Sequence, residues 1–303
     1  VETGEKLDAH VHGYPKEVSV DSAAWARRHG ERHWGRLVSE GPQGWADAEA
    51  MIAAMDDLGI SKVWLQGWYW ETAEAARRQN EWHAEWLDRY PDRFLASCAL
   101  HPGMGDPVAA LEDARAWGAC GVGELLPQVQ SRHGWEDPFW HEMLTWTQGQ
   151  GWPVLLHVTE EAGHVYPGRV ETPLMDLVEL FETYAEQRWI CAHWGGGLPF
   201  YSLNWRVHNA LRNVWVDTAA GPLLYNSTIW PTVRDLLGAG KILAGSDFPL
   251  RLRPSRPAEE GWRSLWRQLE KAPFSRTEKT AVAGGNLRDL LGLREGPALK
   301  KKR

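Results

Sequence analysis

Leu7-Asp8-Ala9-His10-Val11-His12-Gly13-Tyr14-Pro15 is the stretch on which the fold turns. Its first five residues read as a short strand. The strand runs into His12-Gly13-Tyr14-Pro15 rather than the glycine-rich turn of a dinucleotide-binding open sheet, so a doubly wound sheet, the alternative architecture, loses its usual support. Outward from this segment the same rhythm repeats: Lys62–Gln66, Phe94–Leu100, Gly121–Leu125, Val154–Val158, Trp189–His193, Val214–Asp217 and Lys241–Gly245 read as strands. Between them, Ala46–Leu58, Thr72–Arg89, Pro107–Trp117, Pro138–Gln148, Pro173–Glu186, Pro199–Leu211, Ile229–Leu237 and Ala258–Leu269 carry apolar residues at helical spacing. Eight strand–helix pairs predict an α/β fold, a (β/α)8 TIM barrel.

Two departures from the repeat stand out. Gly13 to Trp45 is a long β1-α1 loop with one helix-like piece near Ser22–Arg28, and it leaves the carboxyl end of a strand, where such barrels carry their chemistry. Thr277–Leu291 reads as an extra C-terminal helix interrupted at Gly284-Gly285 and expected to pack on the outside. A single barrel domain over 1–295 and a flexible basic tail over 296–303, ending Lys300-Lys301-Lys302-Arg303, complete the expected organisation.

The chain has 303 residues, 43% hydrophobic and 24% charged, with a formal charge of −7. That acidity, with no basic stripe outside the tail, argues against a nucleic-acid partner. No segment approaches the ~20 consecutive apolar residues of a membrane helix. Cys98, Cys120 and Cys191 are an odd number, widely spaced and set in apolar runs, which suits reduced buried thiols. With no secretory pattern at the start, a cytoplasmic location is expected. A small-molecule substrate is the expected partner, and homo-oligomerisation is left open.

His10-Val11-His12 alone says little, since twelve histidines in this length give roughly half a His-x-His by chance. Its position adds the weight, because residues i and i+2 of a strand share a face and both imidazoles can turn into the barrel. His157, His193, Asp247 and Glu124 fall at the carboxyl ends of the fifth, sixth, eighth and fourth strands. Polar groups so placed are costly unless satisfied, and one cation satisfies several. Four imidazoles and two carboxylates suit Zn²⁺, with Mn²⁺ or Fe²⁺ also compatible, as one or two ions. His29-Gly30-Glu31-Arg32-His33 lacks the zinc-protease spacing, and Gly238-Ala239-Gly240-Lys241 lacks the hydroxyl of a phosphate loop.

Asp8-Ala9-His10-Val11-His12, His157, His193 and Gly245-Ser246-Asp247-Phe248-Pro249, spread over nearly the whole chain, resemble the metal-dependent amidohydrolase superfamily. Ala192-His193-Trp194-Gly195-Gly196-Gly197-Leu198-Pro199 and Asp217-Thr218-Ala219-Ala220 narrow the likeness to the amidohydrolase-2 branch that includes aminocarboxymuconate-semialdehyde decarboxylase. The resemblance implies one ion held by His10, His12, His157 and Asp247, with His193 moving protons or touching substrate. Glu124 departs from that pattern and resembles instead the binuclear deoxyribonuclease branch, in which a carboxylate bridges two ions and His157 and His193 would bind the second.

The leading expectation is hydrolysis of a small amide, lactone or ester by metal-activated water, with Asp247 as proton acceptor and donor and His193, where it is not bound to metal, steadying the oxyanion. Non-oxidative decarboxylation of a small carboxylic acid is the alternative. Phosphodiester cleavage and an inactive metal-binding scaffold are further readings. Expected substrate contacts are Gln128, Gln130, Arg132, His164 and Arg251, on loops leaving the same strand ends, with His133 and Glu160 nearby. Trp64, Trp68, Trp70, Trp135, Trp194 and Trp230 are the aromatic candidates for an apolar wall.

Overall fold

A computed structural model describes residues 5–41, 43–253 and 255–293. The expected 296–303 tail lies outside them. Eight parallel strands alternate with helices: β1 Lys6–Val11, β2 Ile60–Leu65, β3 Phe94–Ala96, β4 Val122–Leu125, β5 Val154–Leu156, β6 Trp189–Cys191, β7 Val214–Asp217 and β8 Ile242–Leu243. They hydrogen-bond as one run of three, β1-β2-β3, and one of five, β4 to β8. Single bridges, Cys98↔Val122 and Val11↔Phe248, join the runs at both seams and close the TIM barrel.

Most strands are shorter than the sequence predicts. β3 leaves the ladder after Ala96, and His157 and His193 stand just past β5 and β6 rather than inside them. The chain abandons regular pairing where it begins to present polar side chains.

Helix ends obey local chemistry. Asp47, Thr72 and Asp106 cap Ala48–Leu58, Ala73–Arg89 and Pro107–Trp117 by accepting backbone N–H bonds, and Gly59, Gly118 and Gly151 close helices in the left-handed region. The sixth helix departs from expectation. Instead of Pro199–Leu211, a tight coil spans His193–Tyr201, with φ between +56° and +87° over Trp194–Gly197, and a regular helix forms only at Trp205–Ala210, capped by Asn204. Three successive glycines make the left-handed path accessible, and periodicity cannot reveal it.

The β1-α1 loop is also more ordered than expected. Lys16–Ser19, Ser22–His29 and Arg32–Glu40 are helical, the last two separated by Gly30 at φ +76°. Trp25, Trp34 and Trp70 pack ring against ring at 5.1–5.4 Å and anchor the insertion over β2. Its folding is driven by aromatic burial against the barrel, a tertiary effect that weak local patterning hides.

The C-terminal segment does not lie outside. Leu287 and Leu290 share a buried cluster with Leu7, Trp64, Leu155, Ile190 and Leu243, the inward side chains of the strands. Asn286 donates to the carbonyls of Ala239 and Ile242 at 2.8 and 2.7 Å, and Gly284 lies so close to Leu7 that a Cβ would come within 2.7 Å of it. This segment is the floor of the barrel, opposite the end that carries the polar residues. Among the described residues no helix is long and apolar enough to cross a membrane.

Replacing Leu287 by Ala should therefore cost about 2–4 kcal/mol of unfolding free energy in urea titrations, as core truncations do. A loss below about 1 kcal/mol would mean that the floor is dispensable.

Candidate metal centre

Simple alternation along β1 would put Ala9 and Val11 on one face. They lie on opposite faces: Ala9 packs in the barrel interior and Val11 in the outer layer, because the β1–β2 register shifts between Asp8 and Val11. This irregularity turns His10 and His12 together into the mouth of the barrel. Asp8 fixes it. One carboxylate oxygen accepts the backbone N–H of His10 at 2.9 Å and of Ser246 at 3.1 Å, while the other accepts the Trp262 indole N–H. The β1 end and the turn after β8 are thus tied to one buried acid, and the Asp247 N–H adds a bond to the His10 carbonyl at 2.9 Å.

The structure brings the six predicted residues together. His10 Nε2 and His12 Nε2 are 3.1 Å apart, and Asp247 Oδ1 is 3.5 Å from the latter. On the far side, His157 Nδ1 lies 3.2 Å from His193 Nε2. Glu124 stands between the groups. Its Oε1 is 2.8 Å from His157 and 3.4 Å from His193, while Oε2 is 3.5 Å from His12 and 3.7 Å from His10. Donors bound to one ion at ~2.0–2.2 Å in tetrahedral geometry lie about 3.3–3.6 Å from one another, inside the span of these distances. The arrangement resolves into two triads, His10–His12–Asp247 and Glu124–His157–His193, each able to hold an ion.

The electrostatics favour a cation in the same place. Although burial works against it, His10 is pushed up to about 10 by the carboxylates of Asp217 and Glu124. Burial and the neighbouring His10 drive His12 down to about 3. Glu124 is also opposed by burial, yet His157 and His10 hold it well below the usual carboxylate range. A set of buried acids that calls for positive charge, ringed by neutral nitrogen donors, is chemically a divalent-cation site.

Two acids outside the expected ligand set shape the centre. Asp217, at the end of β7, accepts from His10 Nδ1 at 2.8 Å and from the backbone N–H groups of His193 and Ala219 at 3.0 Å each. It directs His10 Nε2 toward the cluster. Its place at a strand's carboxyl end was the available signal. Asp8 sits inside the motif yet faces away from the mouth.

A cavity of about 60 Å³ opens on the cluster, lined by His12, Glu124, His157, His193 and Asp247 together with Gln43, Trp68, Tyr69, Pro249 and Leu250. Trp68 stacks on Tyr69 at 4.4 Å, and their rings lie 5.0 and 5.2 Å from those of His12 and His157. Of the aromatic candidates Trp68 alone lines it; Trp64, Trp70, Trp194 and Trp230 are buried packing residues. None of Gln128, Gln130, Arg132, His164 or Arg251 belongs to this wall. The amide of Gln130 is turned inward, accepting from Leu126 N–H and donating to the Leu100 carbonyl at 2.7 Å, so this buried side chain faces the backbone rather than the cavity. Gln128, Arg132 and His164 are exposed.

Known proteins share this architecture. A family model described as amidohydrolase matches residues 7–293. The chain belongs to the amidohydrolase family. This amidohydrolase is an enzyme of that family. No curated protein matches it. Similar solved structures include 2,6-dihydroxybenzoate decarboxylase from Rhizobium, 19% identical with a TM-score of 0.66 over 95% of this chain and 99% of that one. The 5-carboxyvanillate decarboxylase from Novosphingobium aromaticivorans, complexed with manganese and 4-hydroxy-3-methoxy-5-nitrobenzoic acid, is 18% identical with a TM-score of 0.69 over 96% and 97%. A probable 2-pyrone-4,6-dicarboxylic acid hydrolase from Acinetobacter baumannii with bound citric acid is 16% identical with a TM-score of 0.65 over 95% and 100%. At these identities the likeness establishes the shared fold.

Asp217→Asn should weaken divalent-ion affinity about 10- to 100-fold, measured by competition with a chromophoric chelator, while the fold persists. Unchanged affinity would remove Asp217 from the support of the centre.

Proposed function

We propose that this amidohydrolase hydrolyses a small-molecule amide, lactone or ester, working as one catalytic unit over 1–295. The observation that carries the reading is Glu124, whose two oxygens face two separate imidazole pairs. A carboxylate shared between two ion sites suits activation of water. His10, His12 and Asp247 would hold one ion and Glu124, His157 and His193 a second, with Glu124 common to both. Zn²⁺ fits the donor set, as do Mn²⁺ and Fe²⁺. Bound there, divalent ions supply acidified water and polarisation of the scissile carbonyl.

The remaining work falls to the chain. Asp247 accepts the proton of the attacking water and returns it to the leaving group. Its backbone, at φ +64° and pinned to the His10 carbonyl, aims the carboxylate into the cavity. His193, bonded through Nδ1 to the Ala219 carbonyl at 3.2 Å, presents the Nε2 lone pair toward the cluster, where it would hold the second ion. Trp68, Tyr69, Pro249 and Leu250 form an apolar wall for a flat acyl or aromatic group. Among the described lining residues there is no lysine or arginine, so a second substrate carboxylate would sit unpaired beside Glu124 and Asp247. Arg251, Gln128, Arg132 and His164 remain outside this inner wall and would act, if at all, on the outer part of a longer substrate.

Carbon dioxide loss from a small aromatic acid is the second reading, because solved structures sharing this fold include decarboxylases of such acids. Turnover in ¹⁸O-labelled water separates the two. Label in an acid product supports hydrolysis, whereas carbon dioxide release with no label in the product contradicts it. In the same assay a metal-replete Asp247→Asn variant should lose about 10²- to 10⁴-fold in kcat with its melting temperature essentially kept. Undiminished turnover would strip Asp247 of its proton-transfer role.

A further inference from the structure

A second recess of this protein is far larger than the metal cavity. It measures about 820 Å³ against about 60 Å³, runs along the helix Glu259–Lys271 and shares no lining residue with the first. Lys6, the first residue of β1, and Leu58, the last of the helix before β2, contribute to its wall, as does Ala283 of the segment that plugs the floor. The recess therefore reaches the strand-start end of the barrel, away from the ligand cluster.

Its charge is one-sided. Arg263 and Arg267, one helical turn apart, share a face of the helix, and Lys6, Arg256 and Lys279 join them in the lining. Only two carboxylates, Glu260 and Glu270, stand among these five cations, in a chain whose net charge is −7. Ion pairing accounts for two of the five: Arg256 has Glu260 at 3.7 Å, and Arg263 pairs with Asp57. Lys6, Arg267 and Lys279 have no carboxylate within ion-pair distance among the described residues and bond to carbonyl oxygens instead, Lys6 Nζ to Leu58 at 3.0 Å, Arg267 Nε to Arg263 at 3.1 Å and Lys279 Nζ to Glu270 at 2.5 Å. A neutral carbonyl leaves the positive charge in place, and each group keeps further N–H donors. The same recess has an aromatic surface, since Lys6 Nζ stands 5.5 Å from the centre of the Trp266 ring, and Pro257 and Leu269 add apolar lining.

We propose that this recess binds a small organic polyanion carrying a flat ring, a nucleotide or an aromatic polycarboxylate, at a site separate from the metal centre. The volume falls within the ~300–1,000 Å³ of small-molecule sites. Lys6, Arg267 and Lys279 would take the anionic groups, the guanidinium through paired donors, and Trp266 the ring. The two acids narrow the choice, because Glu260 and Glu270 interrupt the row of cations and would repel the continuous phosphate backbone of a polynucleotide. Lys300-Lys301-Lys302-Arg303, the basic end of the chain, has the charge of the recess itself and is no occupant for it. The proposal is independent of which reaction the metal centre performs.

Isothermal titration calorimetry of the metal-loaded full chain with ADP and with benzenetricarboxylate tests this. One or both should bind with a Kd below about 1 mM, the tighter of the two naming the source of the anion. Adenosine and inorganic phosphate, which carry only the ring or only the charge, should bind at least about 10-fold more weakly than ADP if the nucleotide is the ligand, and benzene-ring and acetate fragments likewise if the polycarboxylate is. Arg267→Met and Lys279→Met should each raise Kd about 10-fold or more with the melting temperature kept, whereas Glu124→Gln, in the metal centre, should leave it unchanged. Failure of both probes to bind at about 5 mM overturns the proposal. So does binding that survives Arg267→Met and Lys279→Met combined, or binding that disappears with Glu124→Gln, which would assign the anion to the metal centre.

Discussion

Buried negative charge is the constraint on which the rest of this structure depends. Glu124, Asp217 and Asp8 lie at or below 1% exposure in the carboxyl-end half of the barrel, with Asp247 beside them. Acids so placed must be paired, hydrogen-bonded or neutralised by a cation. Asp8 is resolved by backbone and indole donors, and Asp217 by His10 and two backbone N–H groups. Glu124 has only imidazoles, four of them, arranged in two pairs. A divalent cation would supply the missing positive charge, and the spacing of the donors is that of ligands sharing one.

The supports of the centre come from the two seams of the barrel. β1 meets the chain after β8 through Asp8, the His10 carbonyl and the Val11↔Phe248 bridge, and Phe248 stacks flat on Trp262 at 3.9 Å. This joint places His10, His12 and Asp247 relative to one another. At the other seam, the Glu124 N–H donates to the Gly67 carbonyl at 2.5 Å, and Gly67 is packed so closely against Gly123 and Ala99 that no side chain fits there. The strand carrying Glu124 is thereby registered to the loop that carries Trp68 and Tyr69. Closing the barrel and assembling the site are one event.

Much of this was legible in the chain. Strand–helix alternation pointed to the barrel, and polar residues at the ends of five strands supplied the six members of the cluster. The features that escaped reading did so for physical causes. A register shift at Ala9–His10 alters which face each residue takes, and composition does not signal it. The three glycines after His193 permit a left-handed coil that no periodic pattern predicts. Leu287 and Leu290 are equally apolar whether they cover the barrel's flank or plug its floor, so only tertiary contact distinguishes the two. Gln130 looked free because its backbone partners, Leu126 and Leu100, are set by the fold, whereas Tyr69 and Gln43 reach the cavity from loops whose course the sequence does not specify. Asp217 obeyed the same strand-end rule as His157 and His193, and its pairing with His10 shows that the rule finds supporting residues as readily as ligands.

The central claim is that these imidazoles and acids share divalent cations, with Glu124 between them. Anomalous diffraction from crystals of the metal-loaded protein, collected on both sides of the zinc and manganese edges, tests it most directly. Two peaks, one among His10, His12 and Asp247 and one among His157 and His193, both touching Glu124, are the predicted result. A cluster that stays free of any anomalous peak after loading with either ion would contradict it.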